Sequence, residues 1–361
     1  MDAFKNFYNA RYKKELFEHL GAKNINNKVV GYFTSPSDFP SEMAYRQRVA
    51  EIGDALFLIF KKDFKLFYDS SFPFLKAEVE DKKGRNPFFW EPFSYVIQKY
   101  GLKYFELSMS IMEPLTELFT AEFAIRPFIE KDAKKTLIQL NNWSKSSNEH
   151  LRRLASEGSR PRLPWGQNLK VFMDNPEMTA EILERLNQDS SLYVRKSVAN
   201  HMNDHSWYNE DYFYSVIERW NRSKSKETQW IIKHALRSEI KKANPRALKL
   251  IGIAPFKASC SLSLPTAPRF QEDFNLVLEL RNETKEEQSY LADLQFVLPG
   301  KNSTRKKVFK GWSGKIGQTE TLALQKKLSL KDNSIRTYYH GEYLIELLLN
   351  GTKAAEVKFT V

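Results

Sequence analysis

The chain has a single cysteine, Cys260, among 361 residues. That scarcity excludes an internal disulfide framework and any zinc site built on cysteine thiolates, and is what a reducing compartment permits. Long hydrophobic runs are also missing. The longest wholly apolar stretch, A-L-F-L-I-F at residues 55–60, falls far short of the roughly 18–20 residues a membrane-spanning helix requires. No G-x-x-x-x-G-K-[ST], G-x-G-x-x-G or G-x-S-x-G string occurs, so neither a phosphate-cradling loop nor a serine nucleophile turn is expected. Six scattered histidines give little support to triad chemistry. The N-terminal M-D-A-F-K-N-F-Y-N-A-R-Y-K-K-E is charged throughout, so no signal peptide is expected, and the protein is expected to be soluble and cytoplasmic.

What is present is ample apolar material. With 42% hydrophobic and 14% aromatic residues the chain is globular rather than disordered, and its length suits two cores better than one. Lysine and arginine number 56 against 44 acids, a net charge of +12 that favours polyanions such as nucleic acid. The excess is shared along the chain: residues 256–361 carry 16 basic and 12 acidic groups.

Up to about residue 252 the apolar residues recur at three and four, as in Val49, Ile52, Leu56, Ile59 and Phe60 and again in Ile182, Leu183 and Leu186, the spacing of one helical face. From Phe256 onward the period is two. F-N-L-V-L-E-L, Y-L-A-D-L-Q-F-V-L, R-K-K-V-F-K-G-W, T-E-T-L-A-L-Q-K-K-L-S-L, E-Y-L-I-E-L-L-L-N-G and A-E-V-K-F-T-V follow as strand-like runs, divided by turns such as N-E-T-K, P-G-K-N, K-D-N-S and N-G-T-K. The fold expected is therefore multidomain: an all-α solenoid over 1–252, a junction at I-G-I-A-P-F, and an all-β immunoglobulin-like sandwich of about seven strands over 256–361. The Cys…Trp…Cys spacing of antibody domains is absent, so "immunoglobulin-like" describes architecture only.

Within the helical half, E-H-L-R-R-L-A-S-E, S-L-Y-V-R-K-S-V-A-N and T-Q-W-I-I-K-H-A-L-R superpose at spacings of 43 and 37 residues, which brings Leu151, Val194 and Ile231 into register. Such periods are those of HEAT-like helical pairs, which stack because one pair cannot bury its own apolar face. The same register aligns Arg152 with Arg195, and Arg153 with Lys196 and Lys233. One reading is a basic stripe on a concave surface; the other is that these residues bond a neighbouring helix or acid, pairs of small individual worth.

Three acids stand near expected helix ends beside basic or aromatic residues: Glu122 in F-T-A-E-F-A-I-R-P-F, Glu157 in A-S-E-G-S-R-P-R-L-P-W, and Asp204 in S-V-A-N-H-M-N-D-H. An acid in the last turn of a helix opposes the macrodipole and costs a few tenths of a kcal/mol, roughly, so Glu157 is not there for helix stability. Acids facing a phosphate-binding groove require a positive charge to meet. Rupture of an N-glycosidic bond supplies one, because the sugar becomes oxocarbenium-like and an N3-alkylated base is already cationic; carboxylates stabilise that cation and orient a water. A cationic base leaves as a neutral one, so no strong general acid is needed. The ordinary alternative for each acid is a solvated surface group.

The prolines of R-P-R-L-P-W stiffen a loop that ends in Trp165, which either lies against a sugar or nucleobase, with Arg160 and Arg162 on flanking phosphates, or plugs the core between repeats. His201-x-x-Asp204-His205 has the i, i+4 histidine spacing of a metal site, but a third ligand is not evident and the segment is expected to be leaving its helix. Neither metal nor cofactor is expected.

The block running from T-A-E-F-A-I-R-P-F through E-H-L-R-R-L-A-S-E-G-S-R-P-R-L-P-W and S-L-Y-V-R-K-S-V-A-N-H-M-N-D to W-I-I-K-H-A-L-R and N-P-R-A-L-K-L-I-G resembles the AlkC family of bacterial DNA alkylation-repair glycosylases. The likeness covers about residues 115–252; the S-E-G-x-R-P-R-L-P-W string is highly specific, and residues before about 90 match only in helical character. It implies a monofunctional enzyme that excises N3-methyladenine and N3-methylcytosine from duplex DNA held by a HEAT-like solenoid, engaging the lesion from the backbone side without a deep base-flipping pocket. The acids of the family's motifs fall on Glu122, Glu157 and Asp204, and its tryptophan on Trp165. Some family members carry an immunoglobulin-like domain after the solenoid, and the period-two half places this chain with them. The H-M-N-D-H-S-W segment departs from the pattern by its histidines.

The expectation is a bacterial DNA glycosylase, a monomer that associates with the nucleoid through alkylated duplex DNA and has no membrane partner. Glu157, Asp204 and Glu122 are its candidate catalytic groups, and Trp165, Arg152, Arg153, Arg160, Arg162, Arg195, Lys196 and Lys233 its candidate DNA contacts. The rivals are a HEAT-like scaffold without activity and a structure-specific DNA-binding protein without catalysis.

Overall fold

The computed structural model describes residues 2–20, 27–81, 84–301, 303–333 and 337–361, and the chain divides into two compact units, Met1–Ala235 and Leu236–Val361. The first is helical. Its helices bury one face each, as their three-four spacing requires: Val49, Ile52, Leu56 and Ile59 of Tyr45–Ile59 are all buried, and so are Ile182, Leu183 and Leu186 of Ala180–Leu186. Side-chain caps set several starts, with Asp132 accepting from the Lys135 amide before Ala133–Ser144 and Asn148 accepting from the His150 amide before Glu149–Gly158.

Helix Glu149–Gly158 packs between Ala133–Ser144 and Leu192–Tyr208, and Leu192–Tyr208 packs in turn on Lys226–Ala235. The three sequence segments that superpose therefore lie on successive stacked helices, with Val194 and Ile231 fully buried at the shared apolar position. Helix Leu192–Tyr208 continues past the point where the sequence suggested an end: His201, Asp204 and His205 all lie inside it. No proline or glycine interrupts that stretch, and Asn209 closes it.

The second unit opens with two short helices, Arg237–Lys241 and Pro245–Leu250, which fall on the solenoid side of the boundary when periodicity alone is used. Seven strands follow among the described residues: β1 (Ala258–Ser263), β2 (Asp273–Asn282), β3 (Gln288–Leu298), β4 (Arg305–Ile316), β5 (Thr321–Ser329), β6 (Glu342–Leu349) and β7 (Thr352–Thr360). They form two antiparallel sheets, β1-β2-β5 and β4-β3-β6-β7. Alternate residues point inward, so Leu276, Leu278 and Leu280 of β2 meet Leu294, Ile345 and Leu347 of the facing sheet in one core. Asn350 and Gly351 turn β6 into β7 with φ of 48° and 83°, the left-handed pair an N-G hairpin requires. Among the described residues no helix is long and apolar enough to cross a membrane.

Candidate active site

Three elements of the helical unit deliver the three acids to one network. Glu157 is the penultimate residue of Glu149–Gly158, Asp204 lies within Leu192–Tyr208, and Glu122 sits in the turn before Arg126–Lys131. Gly158 allows this approach: a Cβ there would meet Ile125 Cγ2 at 2.7 Å, so only glycine lets the end of the Glu149 helix close on the turn that carries Glu122.

Two arginines join the acids. The Arg160 guanidinium donates from Nη1 to Glu157 Oε1 at 2.7 Å, and from Nε and Nη2 to the two oxygens of Asp204 at 2.8 and 3.0 Å. Arg153 lies 2.6 Å from Glu122 Oε2 and 3.7 Å from Glu157 Oε1, and donates to Thr120 Oγ1 at 3.0 Å. The Glu122 contact lies off the donor direction, so it is an ion pair rather than a hydrogen bond. With every group ionised, these three carboxylates and two guanidinia sum to one negative charge, which the buried guanidinium of Arg126, close enough to act on Asp204 and Glu122, offsets, in a site where Glu157 and Asp204 are each only 6% exposed.

This arrangement corrects the reading of Arg160 as a phosphate contact. Arg160 is buried and spent on two acids, and together they raise its affinity for its proton above the ordinary value against the opposing effect of burial. Burial raises the Asp204 carboxyl, with Arg160 pulling the other way. The acids are not equivalent. Both oxygens of Asp204 are committed to Arg160, whereas Glu157 Oε2 accepts no hydrogen bond among the described residues. The unfavourable position of Glu157 against the helix dipole is offset by Arg160, three residues further on.

The loop from Gly158 to Gln167 is held by a residue that sequence reasoning passed over. Arg126 is 1% exposed and donates to the carbonyls of Gly158 (3.1 Å), Arg160 (3.0 Å) and Gln167 (2.7 Å), gathering the loop around one guanidinium. Burial and the charge of Arg160 push its pKa down to about 10. Trp165, at the loop's tip, has φ of 67° and is 68% exposed, which rules out the core-plug reading. Its carbonyl accepts from Arg46 Nη2 at 2.5 Å, a tie to helix Tyr45–Ile59 that no motif announced.

The basic stripe divides into two kinds of residue. Arg152 pairs with Asp189 through both its Nε (2.6 Å) and Nη2 (3.1 Å) and donates to the carbonyls of Ser146 and Ser147; Arg195 donates to the carbonyls of Asp189 and Ser190. Both therefore close the loop five and six residues before themselves, the local bonding role left open by the sequence. Lys196 and Lys233, one position further along in register, are exposed, as is Arg162. Rings accompany the arginines: Arg153 lies 5.2 Å from the Tyr193 centroid, Arg195 5.9 Å from Trp230, and Arg162 5.7 Å from Trp207.

The two histidines beside Asp204 are buried. His201 Nδ1 lies 3.0 Å from the Ser156 carbonyl, and burial holds its pKa well below the usual imidazole value; burial lowers His205 to about 4. Both are neutral at physiological pH. Among the described residues no three of His, Cys, Asp and Glu are grouped to hold a metal ion.

Residues 259–361 match the family model described as "Uncharacterised protein YhaZ, C-terminal Ig-like domain". The whole chain is 31% identical to the YhaZ protein of Bacillus subtilis (strain 168), over 368 residues that cover 100% of both proteins. Among solved structures, the alkylpurine DNA glycosylase AlkC of Pseudomonas fluorescens, bound to DNA containing an abasic site analog, is 30% identical, covers 99% of each chain and superposes with a TM-score of 0.88. An all-helical unit, an immunoglobulin-like sandwich and full-length likeness to both relatives establish that the chain belongs to the AlkC family.

Proposed function

We propose that the protein is a monofunctional DNA glycosylase that removes cationic N3-alkylated bases, N3-methyladenine and N3-methylcytosine, from duplex DNA. The observation that carries this reading is the buried five-group network of Glu122, Arg153, Glu157, Arg160 and Asp204, in which Glu157 keeps one carboxylate oxygen free of hydrogen bonds among the described residues. A cation formed at the sugar is attracted to that oxygen. The C1′–N bond breaks with its electron pair passing to the base, which leaves neutral; water then adds to C1′ and gives up one proton. Glu157, with an uncommitted oxygen, stabilises the sugar cation and receives that proton, and Glu122 adds negative potential beside it. Asp204 acts through Arg160, fixing the guanidinium that orients Glu157.

Lys196, Lys233 and Arg162 are the exposed cations available to phosphates, and Trp165 is the exposed ring available to the lesion. Arg152 and Arg195 support the surface by shaping its loops. No lysine nucleophile is invoked, so strand cleavage does not accompany excision.

Release of N3-methyladenine from methylated duplex DNA, with wild type and Glu157→Gln, tests the reading. The variant is expected to lose about 10²–10³-fold in rate while holding DNA that contains an abasic site analog within a few-fold of wild type. Excision at the wild-type rate would refute the mechanism. DNA binding with no base release by the wild type would leave a structure-specific binding protein.

A further inference from the structure

The side chain of Glu157 is held at one oxygen only, by a bond from Arg160 at 2.7 Å and the Arg153 guanidinium at 3.7 Å. Where its other oxygen points therefore depends on how firmly the backbone beneath it is fixed. Glu157 lies in the last turn of Glu149–Gly158, where helical carbonyls lose their intrahelical amides and need other donors. The carbonyls on either side of it are both taken by buried side chains from other elements. Gly158 accepts from Arg126 Nη1 at 3.1 Å, and Ser156 accepts from His201 Nδ1 at 3.0 Å. The Ser159 hydroxyl also reaches Ser156, at 3.2 Å, but its one proton lies nearer the Ala155 carbonyl, at 2.6 Å. His201 is thus the firm donor to the peptide group that joins Ser156 to Glu157.

His201 is fully buried and stands three residues before Asp204 on helix Leu192–Tyr208. That helix grips the network twice, through Asp204 on the Arg160 side chain and through His201 on the backbone beside Glu157. A carbonyl can only accept, so the bond to Ser156 places the ring proton on Nδ1 and leaves Nε2 facing the Thr179 hydroxyl at 3.3 Å. Burial keeps the ring neutral, so it supplies a donor without adding a charge among the acids and guanidinia. His205, one turn further along, is equally buried, yet neither of its ring nitrogens has a hydrogen-bond partner among the described residues.

We infer that His201 is a positioning residue for base excision, acting through the Ser156 carbonyl to hold the backbone of Glu157 and so the aim of its free oxygen. The inference rests on the glycosylase reading of Glu157. Asparagine carries an amide nitrogen as many bonds from Cα as Nδ1, whereas glutamine carries it one bond further out. The two substitutions therefore differ in where the donor sits, not in whether there is one.

Single-turnover release of N3-methyladenine from methylated duplex DNA tests the inference. His201→Asn is expected to stay within about 5-fold of wild type. His201→Gln and His201→Leu are expected to slow release about 10- to 100-fold, the cost of a reacting group displaced by up to about 1 Å, while DNA containing an abasic site analog binds as in wild type. His205→Leu is expected to match wild type in rate. In a Glu157→Gln background neither His201→Gln nor His201→Leu should slow release further, because the histidine acts only through that carboxylate. If His201→Leu does not fold, the Asn and Gln substitutions carry both comparisons. Wild type alone carries another check: a long-range proton–nitrogen correlation spectrum should show the His201 proton on Nδ1. His201→Asn no faster than His201→Gln, an additive loss in the double variant, or a ring proton on Nε2 overturns the inference and leaves the glycosylase reading standing. No base release by wild type overturns that reading and this inference with it.

Discussion

Replacing Arg160 with methionine removes the one cation shared by Glu157 and Asp204 while keeping most of the side-chain volume. The five-group network then loses one of its two positive charges, in a site where both stranded acids are 6% exposed. Removing one partner of a buried pair costs about 3–5 kcal/mol. For a unit of this size each kcal/mol is about 2–4 °C in Tm, so a fall of about 6–20 °C is expected in thermal unfolding followed by helical circular dichroism. The loss has a pH signature. Burial raises the Asp204 carboxyl in the folded protein, and Arg160 opposes that rise, so without Arg160 it goes further. An acid whose folded pKa exceeds its unfolded one binds its proton more tightly when folded, and stability falls as pH climbs between those two values. The deficit against wild type should therefore be smaller at pH 5 than at pH 8. A deficit below about 1 kcal/mol, or one equal at both pH values, would refute the argument that Arg160 is the counter-ion of two buried carboxylates.

Three further outcomes are expected. Lys196→Ala and Lys233→Ala should each reduce the slope of log K against log salt for duplex DNA by about one, measured by fluorescence anisotropy. Arg152→Ala should leave that slope in place and instead lower stability by about 1.5–3 kcal/mol, through loss of its bonds to Asp189 and the Ser146 and Ser147 carbonyls. Trp165→Gly should raise stability by about 1–2 kcal/mol, by relieving a left-handed backbone, while slowing excision; a variant no more stable than wild type would show that the loop bears no strain there.

Much of the architecture was legible because two periods, 3.6 and 2, report burial directly. The strand missing from the sequence reading, β1, is A-S-C-S-L-S, whose small polar residues carry almost no hydrophobic contrast. The repeat register was legible too, down to the shared position of Arg152 and Arg195, although which partner a surface arginine takes is a tertiary matter: the acceptors are carbonyls of their own loops and Asp189 from the next turn of the solenoid. Glu157 stood out as an acid opposing its helix dipole, but the sign of Arg160's contribution did not. Three residues from Glu157 in sequence, it reads as a surface cation until burial shows it enclosed between two acids. Arg126 and Arg46 left no trace, since both act by donating to backbone carbonyls, which every residue owns.

Arg126 has a further consequence in a chain with one cysteine. Three carbonyls spread over ten residues converge on a single buried cation, which closes the loop as a clasp rather than as a covalent staple. One of those carbonyls belongs to Arg160, whose side chain grips the acids at its other end. The backbone and the guanidinium of one residue are thereby both anchored. Moving the loop therefore moves the guanidinium that holds Glu157 and Asp204, and the closure involves no disulfide.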